Sequence, residues 1–421
     1  MKKIMMFTLF LLLSALFFGC GKTTTTTFPN PDSQFCDLDS ATGTYTCSMR
    51  WTAYFKTGIE LKLYYRATDQ YDVSDLFFEI GGLLSHYHQL FDKYNPYTGI
   101  ENIYTINRDS SLDMGDGTYG AKTVSNDLFS ALKAVLFTQE SVAKDGPLLF
   151  NAALGPILQI WHDARESETC GTAGNLISPI CARPGAELLA LTYPTDPEDI
   201  ILDAETQTIL FAVPGMGLDL GGFGKGYVSE LIADRLDELG IVYLLNSGNS
   251  NIKAGGINPQ RESGDFFIAL TKPTFTMTSE YFAVLQIPDD LSVVTSGAYQ
   301  NYFIGEDDHR LYHHIIDPRT KLPGGAAITL LAENLSTVTL TPGDSLMSVT
   351  VFCEDGGKGD ILSTSLYLMT LQEGLAYVEA DPDIEAVWYQ WDGTVTISSG
   401  LNRTQIEITE GLFLPLIGPA L

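Results

Sequence analysis

Asp219-Leu220-Gly221-Gly222-Phe223-Gly224-Lys225-Gly226-Tyr227-Val228-Ser229-Glu230 is the stretch from which the rest of the chain is best read. Its first eight residues hold four glycines, a carboxylate and a lysine. Val228, Leu231, Ile232, Arg235 and Leu236 then fall at helical spacing, and Gly240 stands where a C-terminal cap belongs. A glycine-rich turn opening a helix offers free N–H groups and the positive end of a dipole, a natural seat for phosphate. The standard phosphate motifs do not fit. A P-loop needs Ser or Thr after Gly-Lys, whereas Gly226 follows Lys225, and Asp219 holds the place of the first glycine. The dinucleotide fingerprint fails at Tyr227 if begun at Gly222, and at Leu220 if begun at Gly215. Taken alone, the stretch is a tight strand-to-helix turn as readily as a ligand loop.

At 421 residues the chain is long enough for two or three domains or one large unit. Its net charge of −28 argues against nucleic acid and against an anionic membrane surface as electrostatic partners. An anionic ligand would need local positive groups or a cation. Residues 1–20 read as an export signal: Lys2 and Lys3 form a charged start, and Ile4 to Phe18 an apolar run short for a membrane span. The run closes on Gly19-Cys20 and resembles a bacterial lipoprotein signal, with Phe17 and Phe18 where Leu and a small residue are usual. The expectation is lipidation of Cys20 after cleavage and anchoring to the cell membrane, facing the periplasm or another extracytoplasmic space. A plain signal peptide with an incidental cysteine is the alternative.

Five cysteines remain. Cys36 and Cys47 are eleven apart, as are Cys170 and Cys181, and each pair brackets a segment rich in Gly, Asp, Ser and Thr. Local disulfides are expected in an oxidising compartment. Cys353 follows the apolar run Ser348 to Phe352 and is expected to be a buried free thiol. Without Cys-x-x-Cys pairs, zinc is not expected.

Residues 21–49 read as a Thr- and Pro-rich tether containing the first cysteine pair, and 50–421 as the folded domain. Residues 51–66 suit a strand. Residues 74–94 suit a helix, with Leu76, Phe77, Ile80, Leu83, Leu84, Tyr87, Leu90 and Phe91 three and four apart. His86 and His88 face different ways on it, which disfavours a shared metal. Further helices are expected over 124–143, capped by Ser125 or Asn126, from Phe150 to Trp161, and over 359–370. Residues 164–190, polar and without a period, read as an inserted surface loop. A hairpin of Ile200–Asp203 with Thr208–Phe211, a strand from Ile241 to Asn246, and strands at 266–271, 281–287 and 292–295 complete the pattern. Helices and strands mix without regular βαβ alternation, so the expected class is α+β.

Three further stretches matter: Ser292-Val293-Val294-Thr295-Ser296-Gly297-Ala298-Tyr299, His313-His314-Ile315-Ile316-Asp317-Pro318-Arg319-Thr320, and Gly359-Asp360-Ile361-Leu362-Ser363-Thr364. With Asp219 to Glu230, and in this order, they resemble the ApbE family of FAD:protein FMN transferases over 50–421. The resemblance implies an α+β fold of mixed, mainly antiparallel sheets flanked by helices. It implies an enzyme that cleaves FAD, places FMN through a phosphoester on a Thr or Ser hydroxyl of an acceptor protein, releases AMP and needs Mg²⁺.

By the same resemblance, Asp360, Thr364 and the backbone carbonyl of Gly222 hold Mg²⁺. Lys225 reaches the flavin nucleotide, and Asp219 holds it by hydrogen bonds. Ser296 and Gly297 let the backbone approach the flavin, and Ile316 contacts FAD. His314, not His313, takes the family's histidine position as the base for the acceptor hydroxyl, or else orients the acceptor or the phosphate. Tyr97 matches a stacking tyrosine, paired with Asn107. Leu149, Phe150 and Asn151 match a segment of the nucleotide site.

Each role has a physical reason. The pyrophosphate of FAD and the protein are both negative, and Mg²⁺ with hard oxygen ligands resolves the conflict. Asp360 and Thr364, four apart, share a helix face. Histidine suits proton transfer near neutral pH. Without the resemblance, Asp360 reads as a helix N-cap, Lys225 as a solvated lysine, Ser296-Gly297 as an ordinary turn and His314 as a satisfied histidine at a strand end. The chain departs from the family's pattern at Thr98 to Glu101, Asn151, Ser247-Gly248-Asn249 and Thr320-Lys321, and Lys56-Thr57-Gly58 is nearest to its usual Met-Gly-Thr. Two other activities stay open: a Mg²⁺-dependent hydrolase splitting FAD into FMN and AMP, and a non-catalytic FAD-binding lipoprotein.

Overall fold

The strand Leu346–Cys353 has no exposed residue, and the fold follows from what covers its two sides. Val349, Val351 and Cys353 enter a core beneath the helices, while Met347 and Phe352 enter a second core on the opposite face. Burial on both faces is what makes such a strand read as a near-continuous apolar run. Cys353 is a free, buried thiol, as expected. The computed structural model describes residues 35–66, 72–109, 120–144, 146–172, 179–274, 280–287, 290–324, 328–330, 338–340, 346–401, 406–409 and 412–413.

This strand lies within a ten-stranded central sheet. The spatial order is Cys36–Asp39, Thr44–Trp51, Ile59–Arg66, Val242–Ser247, Asn251–Gly255, Leu291–Gly297, Leu346–Cys353, Glu385–Gln390, Thr394–Ile397 and Leu412–Phe413. Neighbours are antiparallel except the last pair. One face carries helices. The other carries an antiparallel sheet of Phe266–Thr271, Tyr281–Ile287 and Ile406–Ile408. The fold is therefore α+β with mixed, mainly antiparallel sheets.

The described helices are α1 (Val73–Phe91), α2 (Ile103–Asp109), α3 (Asn126–Ala143), α4 (Gly155–Arg165), α5 (Ala186–Ala190), α6 (Gly224–Glu238), α7 (Gly356–Leu368) and α8 (Leu371–Glu379). None is long and apolar enough to cross a membrane. Ser125 caps α3 by accepting from the Leu128 N–H. Asp355 caps α7 by accepting from the Lys358 N–H at 2.7 Å, so that helix begins before residue 359. α6 and α7 pack on each other and against the central sheet.

Two boundaries need correction. The sheet starts before residue 50: Cys36–Asp39 and Thr44–Trp51 are paired strands, joined by the Cys36–Cys47 disulfide. Their half-exposed, polar edge position made them look like tether. The expected strand over 51–66 is broken, since Thr44–Trp51 ends where a turn leads into Ile59–Arg66. The stretch 164–190 is also more than a surface loop. Within it Pro179–Cys181 pairs in parallel with Tyr302–Gly305, and the Cys170–Cys181 disulfide closes the segment against the end of α4. Cys20 and residues 21–34 lie outside the described residues.

Candidate active site

α6 opens after Phe223, which supplies no side-chain cap. The first-turn N–H groups of a helix need partners from elsewhere. One comes from α7: the Gly226 N–H donates to Asp360 Oδ2 at 2.8 Å. The approach requires glycine, because a Cβ on Gly226 would stand 2.0 Å from the Gly356 carbonyl oxygen. Asp360 is thus not the N-cap of its own helix; its carboxylate faces the positive end of another. It is buried, and burial raises its pKa against the opposing pull of Lys225, the Gly226 N–H and Asn251.

Thr364 lies one turn further along α7, and Gly222 meets it at the same corner. A Cβ on Gly222 would lie 3.9 Å from Thr364 Oγ1 and 3.0 Å from the Phe150 ring. Ser296 Oγ stands 2.8 Å from Ser363 Oγ and 3.5 Å from Thr364 Oγ1. Asn251 Nδ2 reaches Asp360 Oδ1 at 3.5 Å, while the buried Asn251 Oδ1 has no partner among the described residues. A buried carboxylate short of positive charge, with a hydroxyl and a glycine backbone beside it, is a donor set that fits Mg²⁺.

The corner opens into a cleft of about 530 Å³. Leu149, Phe150, Asn151, Asp219, Gly222, Lys225, Ser296, Gly297, His314, Ile316, Asp360 and Thr364 all line it. Lys56 and Thr57 stand at it too, with Gly248 held to Gly58 by a backbone bond of 3.0 Å. Although the protein is strongly acidic, the lining carries Lys56, Lys93, Arg165 and Lys225 against the carboxylates of Asp219 and Asp360. A concave site with that balance suits a polyanionic ligand.

Several expected contacts differ. Tyr97 does not line the cleft: its hydroxyl donates to Asp92 Oδ2 at 2.8 Å, and its ring faces His88. Tyr94 lines the cleft instead. Its ring lies against His162, with centroids 4.4 Å apart, and Lys56 Nζ sits 4.3 Å from its centroid. Asp219 already has partners on both oxygens, Lys93 Nζ at 2.7 Å and the Gly221 N–H at 2.7 Å. Burial disfavours the Lys93 charge, but Asp219 outweighs it and raises the Lys93 pKa. Asn151 spends its amide on the Thr195 carbonyl and the Ala153 N–H. Asn107 grips both backbone groups of Leu218, which aims Asp219 into the cleft. Sequence reasoning missed Lys93, Tyr94, His162 and Arg165.

The adjacent histidines have separate environments. His313 is buried; its Nδ1 accepts from the Ile315 N–H, so Nε2 carries the proton and donates to the Gly324 carbonyl at 2.9 Å. His314 is open to the cleft. Its Nδ1 lies 3.2 Å from the Asn301 carbonyl oxygen, which can only accept. Nδ1 therefore carries the hydrogen and Nε2 is the basic nitrogen. The protein around the cleft, then His313, Arg165 and Lys225, lower the His314 pKa. His86 pairs with Asp127, away from His88.

A sequence profile of the ApbE family matches residues 55–388. A relative from Klebsiella pneumoniae named FAD:protein FMN transferase is 30% identical over 320 residues, 75% of this chain and 85% of that one. One of the same name from Vibrio cholerae is 25% identical over 283 residues, 67% of this chain and 73% of that one. Among solved structures, the ApbE protein of Thermotoga maritima superposes with a TM-score of 0.62 at 20% identity, covering 84% of this chain and 97% of that one. The flavin transferase ApbE of Vibrio cholerae does so with 0.60 at 22%, covering 84% and 98%. These two likenesses speak for the fold, and the profile and the relatives for kinship: the chain belongs to the ApbE family.

Proposed function

We propose that this protein is an FAD:protein FMN transferase, exported and anchored to the membrane through a lipidated Cys20. The observation that carries the reading is that one cleft brings His314, with its Nδ1 against the Asn301 carbonyl, together with the Asp360, Thr364 and Gly222 corner. The names of the relatives point the same way. The two disulfides support residence in an oxidising space.

The acceptor Thr or Ser oxygen attacks the FMN-side phosphorus of FAD. The new P–O bond forms as the bond from that phosphorus to the bridging oxygen breaks. His314 Nε2 takes the hydroxyl proton, and AMP leaves with the bridging oxygen and its electron pair. Lys225, at the positive end of α6, holds phosphate charge. Asp360, Thr364 and the Gly222 carbonyl would hold Mg²⁺, which would supply positive charge for the pyrophosphate. Asp219 keeps Lys93 in place, and Tyr94 offers the aromatic face expected of Tyr97.

The test incubates the chain with FAD, Mg²⁺ and a Thr-containing acceptor, then measures the intact mass of the acceptor and the AMP formed. Flavinylated acceptor with equal AMP is the expected result. AMP with free FMN and unmodified acceptor would mean a hydrolase, and bound FAD without AMP a binding protein.

A further inference from the structure

The strand Phe266–Thr271 is the open edge of the three-stranded sheet: Tyr281–Ile287 pairs with one side of it, and no described strand pairs with the other. Its burial alternates strictly. Phe266, Ile268 and Leu270 enter the core, while Phe267, Ala269 and Thr271 are exposed. A second cavity, of about 190 Å³, runs beside this edge. Every residue from Phe267 to Thr271 lines it, from both faces of the strand. That happens when the backbone edge itself forms the wall, so N–H and C=O groups without a partner among the described residues look into the groove. Leu244, Asn246 and Ile252 of the central sheet form the opposite wall.

The groove adjoins the cleft. Thr295 lines both, and between them runs the turn Ser247-Gly248-Asn249-Ser250: Asn249 faces the groove, while Gly248 and Ser250 face the cleft. Among the described residues no charged side chain lines the groove, although the protein carries −28; a charge stands close by at Arg261, whose guanidinium lies 5.0 Å from the Phe267 ring centroid on the strand's exposed face. Exposed sheet edges are commonly blunted by charge, proline or a bulge. From Phe267 to Leu270 this edge has no charge or proline; a register shift at Leu270/Thr271 and then Lys272-Pro273 mark its end.

We infer that the acceptor protein docks here as an extended segment that adds a strand to the free edge of Phe266–Thr271. The inference rests on the FMN transferase reading. The segment's small, uncharged side chains occupy the groove, and its hydroxyl passes Thr295 into the cleft. An acceptor hydroxyl must enter a concave site, which an extended segment does more easily than a helix or a flat surface. Main-chain pairing supplies affinity, and the groove supplies selection at alternate positions.

The test uses the full chain with FAD, Mg²⁺ and an acceptor protein whose Thr lies in an extended segment. Ala269→Glu puts a charge on the edge, away from the cleft. It raises KM for the acceptor about tenfold, the loss of one modest contact, while FAD affinity read from flavin fluorescence is unchanged. In the unmodified chain, amides of 266–271 exchange hydrogen more slowly once the acceptor is added. Unchanged KM in the variant together with unchanged exchange at 266–271 overturns the inference. So does exchange that is already slow before acceptor is present, which means a segment of this chain fills the edge. A chain that modifies its acceptor with both readouts unmoved loses only the docking site; a chain that modifies no acceptor loses the transferase reading as well.

Discussion

The Gly226 N–H and Asp360 Oδ2 are joined by a hydrogen bond of 2.8 Å across 134 positions of sequence. One carboxylate therefore completes the first turn of α6 and supplies negative charge at the proposed Mg²⁺ corner. The two tasks are separable by substitution.

Asp360→Asn keeps an acceptor for Gly226 and removes the charge. In the unmodified chain, Mg²⁺ at ten times its Kd adds about 1.4 kcal/mol to the free energy of unfolding. In Asp360→Asn it adds nothing, and transfer is lost. Because burial disfavours the Asp360 charge, the variant without cation is no less stable than the unmodified chain without cation. Urea unfolding with and without Mg²⁺ measures both effects; an equal response in the two chains would sink the metal assignment.

His314→Gln slows transfer on the order of 10²–10⁴-fold and leaves FAD binding intact. The base must be unprotonated, and its pKa is lowered from the ordinary value. The acidic limb of the kcat/KM profile therefore lies below about pH 6.5, and the rate holds as pH falls past that value. A limb centred at or above it contradicts the assignment.

His313 is expected to govern acid stability. Burial pushes its pKa down to about 4. As pH falls, the unfolded chain takes up this proton first. The contribution is full above about pH 6.5 and is lost between there and about pH 4, a total of about 3 kcal/mol. His313→Gln keeps a donor for the Gly324 carbonyl and does not titrate. Urea unfolding across that range should give a flatter profile in the variant; parallel profiles would remove His313 as the cause.

Lys253 is 2% exposed, with Nζ 3.1 Å from Glu230 Oε2 and 2.8 Å from Asp290 Oδ1. Glu230 also accepts from the Gly356 N–H at 2.7 Å and Ser292 Oγ at 2.9 Å, so it pins the start of α7. Burial raises the Glu230 pKa even with Lys253 beside it. Lys253→Met leaves that carboxylate without its buried partner and destabilises by about 3 kcal/mol. Adding Glu230→Gln recovers part of the loss. A double variant as unstable as the single one would show that the lost packing, not the stranded charge, is responsible.

What was legible in the sequence was mostly local. Asp360 and Thr364 share a helix face because of their spacing, and the Asp219 to Gly226 turn carries its geometry in its glycines. Lys93 and Tyr94 lie just past the end of α1, and His162 and Arg165 at the end of α4. Contacts distant in sequence bring these ends to the cleft, as the Lys93–Asp219 pair shows. Tyr97 and Tyr94 are three residues apart where no helical or strand period sets direction. A backbone bond from the Ile100 N–H to the Tyr97 carbonyl, 3.1 Å, closes the turn there, and the Tyr97 hydroxyl goes to Asp92. The strand Pro179–Cys181 was hidden because it is short and its partner Tyr302–Gly305 comes much later.

Gly226 and Gly356 meet backbone to backbone. Main-chain atoms set how far the first turn of α6 stands from the start of α7, with no side chain between the two helices at that point. Exchanging methyls and rings in the surrounding core leaves this gauge untouched. Replacing the hydrogen at Gly226 by even one carbon resets it. The walls of the cleft can thus vary while the spacing between the first turn of α6 and the Asp360 carboxylate stays fixed.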